Sequence, residues 1–355
     1  MTDLLIVGSG PTGLTLACDM ALRGVSVRVL EARCAPHRES RGKGLTPASL
    51  EVFARLGVAE ELSAVGAREV ILRKYFDGDH VNDTPTAAGV LIGQWQVEEV
   101  LRARLAGLGV RVEYEAQVTA INQDGTGVTA RLADGRAVRA GYAAGCDGGR
   151  SSVRKLLGIP FEGHTDETET MVLGDVRAPG LSRAFWHQWF TSDGGGILLC
   201  PMPGTDTFQL QASPELTESG ESRPPSLEGF QRLFDRHARM PGIRLADPTW
   251  LSSWRVNVRI AARMREGRVF LAGDAAHVHP IAGGLGMNTG IQDAVALSRT
   301  LAAALPGPAA DSVLDAYEAE RLPAAAHVLA DTVARYERVV AAVRQPGRGT
   351  EAGLG

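Results

Sequence analysis

Cysteine, long apolar runs and surplus positive charge are all scarce in this chain, and each shortage excludes something. Four cysteines occur in 355 residues. Cys18, Cys34, Cys146 and Cys200 are too scattered for a disulfide framework or a metal-ligand cluster, so reduced thiols in a cytoplasmic protein are expected. No run approaches the roughly 20 apolar residues of a membrane span. The formal net charge of −4 leaves no electrostatic footprint for nucleic acid. His277 and His279 stand two apart without a supporting cluster, and no metal site is expected. The first strand-like run begins almost at once, so no signal peptide is expected. Apolar content of 44% and charged content of 22% are ordinary, and the length suits one large or two intimately joined domains.

What is there begins at Asp3-Leu-Leu-Ile-Val-Gly-Ser-Gly-Pro-Thr-Gly-Leu14. Leu4–Val7 reads as a buried strand, and Thr12–Arg23 has helical periodicity with Gly24 at its end. Val25–Leu30 is a second buried strand, closed by Glu31. Gly8, Gly10 and Gly13 sit at Gly-x-Gly-x-x-Gly spacing. A strand before, a helix after and an acid about 20 residues on turn a weak motif into a dinucleotide fingerprint. The glycines allow a tight turn, backbone approach to a pyrophosphate and close helix–strand packing. The pyrophosphate meets the free N–H groups of the helix. Pro11 and Thr12 in the turn, and Ala32 and Arg33 after Glu31, belong to the same site. Glu31 suits a ribose and would repel a 2′-phosphate. The fingerprint alone leaves FAD and NAD both open.

Beyond Glu31 a polar stretch, Ala35–Gly44, precedes Thr46, an N-cap with Pro47 at the first helical position and Ser49–Leu56 as the helix. Val97–Leu108 is a further helix. Val110–Tyr114, Val118–Asn122, Val128–Leu132 and Ala137–Ala140 read as strands, punctuated by Asp124-Gly125 and Asp134-Gly135. Tyr142–Cys146 is another buried strand. Residues 165–260 change character, with aromatic-rich strands at Thr170–Val176, Phe185–Phe190, Ile197–Cys200 and Thr207–Gln211 and a helix at Ser226–His237. Glu218–Pro225 reads as a surface loop. Arg268–Leu271 is a buried strand, and helices are expected at Leu285–Leu305 and Ala309–Val343, with a disordered tail at 345–355. The fold class is α/β: a Rossmann-like dinucleotide-binding domain (1–70, 92–165 and 260–305), an inserted β-rich domain (71–91 and 166–259) and a long C-terminal helical segment (306–344).

Two further motifs follow the fingerprint. Asp147-Gly148 closes a strand and leads into Gly149-Arg150-Ser151-Ser152-Val153-Arg154. Gly273-Asp274-Ala275-Ala276-His277 leads through Pro280 to Gly283-Gly284-Leu285-Gly286-Met287-Asn288. A strand-end aspartate before a helix is a natural acceptor for sugar or ribityl hydroxyls, and glycines at a helix start let N–H groups approach a ring carbonyl. Together the three motifs resemble the FAD-dependent aromatic hydroxylases, the single-component flavoprotein monooxygenases similar to para-hydroxybenzoate hydroxylase and the polyketide hydroxylases. The resemblance runs from Asp3 to about Val343. It implies that the Rossmann-like domain is the FAD-binding domain and the inserted β-rich domain the substrate domain.

The resemblance implies tightly but non-covalently bound FAD, NAD(P)H as a transient co-substrate, and O₂. It implies oxygen transfer to an aromatic, phenolic or polyketide-like small molecule through a flavin C4a-hydroperoxide, with the cofactor carrying the chemistry. Gly8, Gly10, Gly13 and Glu31 would hold the ADP half. Asp147 and Gly148 would serve FAD and NAD(P)H, and Gly273 and Asp274 the ribityl chain. Arg41, Gln94 and Val118 join the FAD contacts, with Gln96 a rival to Gln94. Pro280, Gly284, Leu285, Gly286, Met287 and Asn288 would form the flavin loop, aiming a helix N-terminus at the ring. Leu285 stands where many family members carry glutamine. Each motif also has a plainer reading: Asp147 and Asp274 as helix caps, and Arg41 as a solvated charge. His187 is a candidate base for a phenol. Trp186, Trp189, Gln209, Gln211 and Trp254 are candidates for the substrate wall. The halogenase sequence Trp-x-Trp-x-Ile-Pro is missing. Epoxidation, Baeyer–Villiger insertion and flavin binding without turnover stand as alternatives on the same scaffold.

Overall fold

A computed structural model of the chain describes residues 2–39, 41–86, 89–280, 284–305 and 311–344. The expected tail at 345–355, the helix start at Ala309 and Gly283 of the third motif lie outside these residues. The first strand, Thr2–Val7, buries its apolar residues from Leu4 onward because neighbours cover both faces. It pairs in parallel with Val27–Leu30 and Ala137–Gly145. Val112–Glu113 and Val269–Leu271 continue the parallel order at the flanks. Arg265–Glu266, Gly127–Leu132 and Val118–Asp124 add antiparallel strands, making an eight-stranded sheet. Ala137–Ala140 and Tyr142–Cys146, expected as separate strands, are one strand. Gly141 does not break it; a Cβ there would stand 3.0 Å from the Asp3 carbonyl, so the glycine lets the neighbouring strand pass close. The expected strand at Val110–Tyr114 shortens to Val112–Glu113.

The fingerprint helix, Pro11–Leu22, packs against helices Gln94–Gly107 and Gly286–Ala304. Leu5, Ile6, Leu14, Leu16, Val97, Leu101 and Ile291 meet in this core. Thr46 caps the helix Pro47–Leu56 through its hydroxyl, as its sequence predicts, and Gly57 ends it at φ 75°.

The second eight-stranded sheet runs in the order His277–Val278, Ala246–Ala261, Phe161–Arg177, Phe208–Ala212, Gly196–Pro201, Phe185–Phe190, Ile71–Phe76, Asp79–Pro85. Helix Leu227–Ala238, capped by Ser226, covers one face and packs Phe230 and Phe234 with Trp189 and Phe208. Its two long strands, Phe161–Arg177 and Ala246–Ala261, exceed the Thr170–Val176 segment read from sequence. Much of Ala246–Ala261 is only partly buried, so it carries no clean alternation to find. A short strand, Lys43–Leu45, inside what reads as a polar loop, pairs with Val90–Gly93. That pairing fixes the loop between the two large sheets. The final helix, Asp311–Arg344, packs on Gly286–Ala304 and touches Ala246–Ala261.

Candidate cofactor and substrate site

One cavity of about 1720 Å³ runs between the two sheets. Every cofactor residue named from the sequence lines it except Gly13 and Gly273. Those two let its wall close. A Cβ on Gly13 would stand 2.1 Å from the Gly8 carbonyl oxygen, and one on Gly273, at φ +62°, would stand 2.5 Å from the Thr12 hydroxyl. Gly8 turns at φ +107° against the Cys146 carbonyl, while Gly10 has open space where a side chain would be. The three glycines thus divide turn, approach and packing among themselves.

At the end of the second strand, Glu31 accepts hydrogen bonds from Ser9 N at 3.0 Å and Ser9 Oγ at 2.8 Å. Arg33 donates to it from backbone N at 3.1 Å and from Nε at 3.0 Å. Burial alone would raise its pKa; the donors from Arg33 and Ser9 prevail and hold it at about 2. The carboxylate is therefore ionised and fixed in place.

Asp147 accepts from Ser151 Oγ at 2.5 Å and from the backbone N of Ser152 and Val153 at 2.7 and 3.1 Å. It helps to anchor the start of helix Ser152–Leu156, whose N-cap is Ser151 and not Asp147, and it also lines the cavity. Arg154 joins the second and third motifs, donating to the Gly149 carbonyl at 3.0 Å and the Ala275 carbonyl at 2.7 Å. Asp274 takes no hydrogen bond from a described residue and opens onto the cavity. Loss of hydration there raises its pKa, opposed by His277 and His279. Asn288 ties the flavin-loop segment to the Lys43–Leu45 region, accepting from Thr46 N at 2.9 Å and donating to the Gly44 carbonyl at 3.2 Å.

Behind this loop lies a buried ion network that sequence reading missed. Asp293 binds His277 Nε2 at 2.6 Å, Arg321 Nε at 2.7 Å and Gly273 N at 2.9 Å. Burial pulls the His277 imidazole down, but Asp293 overrides it and the net direction is up. Burial would raise Asp293, yet His277 and Arg321 bring it below the ordinary range. The signal was spread over three segments that only the fold brings together.

Gln94 lines the cavity and donates to Glu98 at 2.9 Å. Its rival Gln96 is spent on structure, accepting from Gly93 N and donating to the Pro203 carbonyl. Arg41 lines the cavity mouth and pairs with Glu39 at 2.7 Å. Trp186, Gln209, Gln211 and Trp254 line the cavity as candidates for the wall; Trp189 instead lies in the core of the second sheet. His187 requires a correction. Strand alternation turns it away from Trp186, onto the buried face, where it clusters with Tyr75 and Trp189, which also stack on each other. Its Nε2 is 2.8 Å from the Ser182 carbonyl, and burial lowers its pKa. It does not reach the cavity, so it cannot act as the substrate's base. Lys43 does reach it, although the sequence offered no motif for it. Among the described residues no group of His, Cys, Asp and Glu could hold a metal ion.

A glycine cradle open at Gly10, an unpartnered carboxylate at Asp274 and helix N-termini at Pro11 and Gly286 fit an extended dinucleotide. The fold and site define an FAD-binding protein, and the chain matches the family model described as an FAD binding domain over residues 1–332. It is 39% identical to a flavin-dependent monooxygenase of Mycobacteroides abscessus, over 97% of this chain and 76% of that protein. It is 37% identical to dialkyldecalin synthase of Streptomyces rugosporus, over 94% of this chain and 73% of that protein. The solved structure of aklavinone-11 hydroxylase with FAD and aklavinone superposes with a TM-score of 0.84 at 30% identity, covering 99% of this chain and 70% of that one. The chain belongs to the FAD-dependent aromatic hydroxylase family; it is a flavoprotein monooxygenase by family, and FAD is its cofactor.

Proposed function

We propose that this protein hydroxylates a phenolic, polyketide-like aromatic molecule at the expense of NAD(P)H and O₂, in the cytoplasm. Bound FAD would supply the chemistry, accepting a hydride and activating oxygen. The chain's residues bind, orient and exclude water. Glu31 would accept from the adenosine ribose, and the Pro11 helix N-terminus would meet the pyrophosphate. Asp274 would accept from the ribityl hydroxyls, and the Gly286 helix would direct its positive end at the flavin ring. The β-rich wall, from 71–91 and 166–259, would form the substrate domain against an FAD domain built from 1–70, 92–165 and 260–305. One observation carries the reading: a single cavity joins all three FAD motifs to a wall bearing Trp186, Phe190, Trp250 and Trp254. Such a wall suits a flat aromatic guest.

The test is NAD(P)H consumption by the FAD-loaded protein across a panel of phenols and hydroxyanthraquinones. The expected result is stimulated oxidation with a product heavier by one oxygen. Ring expansion or an epoxide in the product would move the assignment to oxygen insertion on the same scaffold. One relative is named a synthase rather than a monooxygenase, dialkyldecalin synthase, which favours a second reading for this chain, flavin binding without turnover. Bound flavin whose reduction no aromatic accelerates would favour it.

A further inference from the structure

The chain places one ammonium where the flavin loop meets the substrate wall. Lys43 lies on the short strand beside that loop. Its carbonyl is 3.6 Å from where a Gly284 Cβ would be, and the adjoining Gly44 carbonyl accepts from Asn288. Its side chain crosses to the opposite sheet, where Nζ donates to Gln209 Oε1 and sits 4.6 Å from the centre of the Trp186 ring. Gln211 donates to the same Gln209 oxygen at 2.9 Å. Among the described residues no carboxylate forms an ion pair with Nζ. Asp175, which bears on it from a distance, is engaged by Trp250 Nε1 at 2.6 Å. Two further polar groups lie unanswered on this face of the sheet. Trp186 Nε1, on the cavity wall, is buried without a partner; both amide atoms of Gln188, two residues along the same strand, are also without one, although Gln188 does not itself line the cavity.

A cation set against a neutral amide and an indole face, with donors left over, is built to receive an anion. We propose that Lys43 is a specificity-determining residue that selects aromatic substrates carrying an ionised phenolic oxygen, pairing with that oxygen while Trp186 covers the ring. This rests on the hydroxylase reading of the cavity. Burial pulls the lysine pKa down, and a phenolate brought beside it would restore the charged form.

The test titrates FAD-loaded wild type, Lys43→Met and Lys43→Arg with 2-hydroxyanthraquinone and with its methyl ether, following difference absorption spectra. Wild type is expected to bind the hydroxy compound with its phenolate band at a pH where the free compound is mainly neutral. Lys43→Met is expected to lose about tenfold or more in that affinity, together with the band. Lys43→Arg is expected to keep both, and all three proteins to bind the ether alike. Equal loss of phenol and ether in Lys43→Met, or no loss, overturns the proposal. So does a changed flavin potential with phenol affinity intact, which would turn the lysine toward the cofactor. A wild type that binds neither compound removes the substrate class and Lys43's role with it. A wild type that binds through Lys43 without stimulated NAD(P)H oxidation overturns the hydroxylase reading alone.

Discussion

Glu31 shows how much one residue can carry. Five donors from Ser9 and Arg33 hold it before any ligand arrives, so a ribose would meet a preorganised carboxylate. Glu31→Gln keeps the shape and removes the charge, and FAD affinity measured by flavin fluorescence is expected to fall about tenfold or more. The sign of its pH effect is set. Its folded pKa, about 2, lies below the ordinary 4.5, so its stabilisation is full above the ordinary range. That stabilisation fades as pH falls toward 2, and the apo-protein of Glu31→Gln should show a flatter acid limb in thermal midpoint. Glu31, Asp274 and the glycines could be singled out in the sequence because the tasks proposed for them are local and impose a residue type at a fixed spacing. Lys43 was not, because its partners lie on another sheet. His187 misled because sequence cannot say which face of a strand points at a cavity that a distant segment completes.

At the scale of elements, the Gly273–Ala275 turn depends on helices that follow it in the chain. Asp293 on one helix and Arg321 on the next clamp it through Gly273 N and His277. Asp293→Asn leaves two cationic partners facing a neutral amide in a dry site. It is expected to cost about 3–5 kcal/mol, read from urea unfolding. The contribution has two edges in pH. It fails at low pH as Asp293 protonates through its lowered pKa, and at high pH as His277 loses its proton through its raised one. Wild type should show a plateau between these limits, and Asp293→Asn should flatten both edges. Parallel strands and capped helices were legible because burial and capping are local. The long strands of the second sheet were hidden, since partial exposure and charged residues erase their alternation.

Among the described residues two large sheets close on one cavity, and no helix is long and apolar enough to cross a membrane. FAD at a hundredfold excess over its dissociation constant is expected to add about 2.7 kcal/mol to stability, visible as a rise in the thermal midpoint. The sheets also share a seam. Strand Ala246–Ala261, inside the aromatic sheet, pairs Arg259 with Val278 and Ile260 with His277, just past the Gly273–Ala275 turn. A guest pressing on the wall would bear on a strand whose hydrogen bonds run next to the cofactor loop. Thermodynamics makes such a seam two-way: whatever factor the aromatic guest applies to FAD retention, FAD must apply to the guest. Equilibrium titrations in both orders should return that one factor, and a factor of unity would mean that the seam carries no signal.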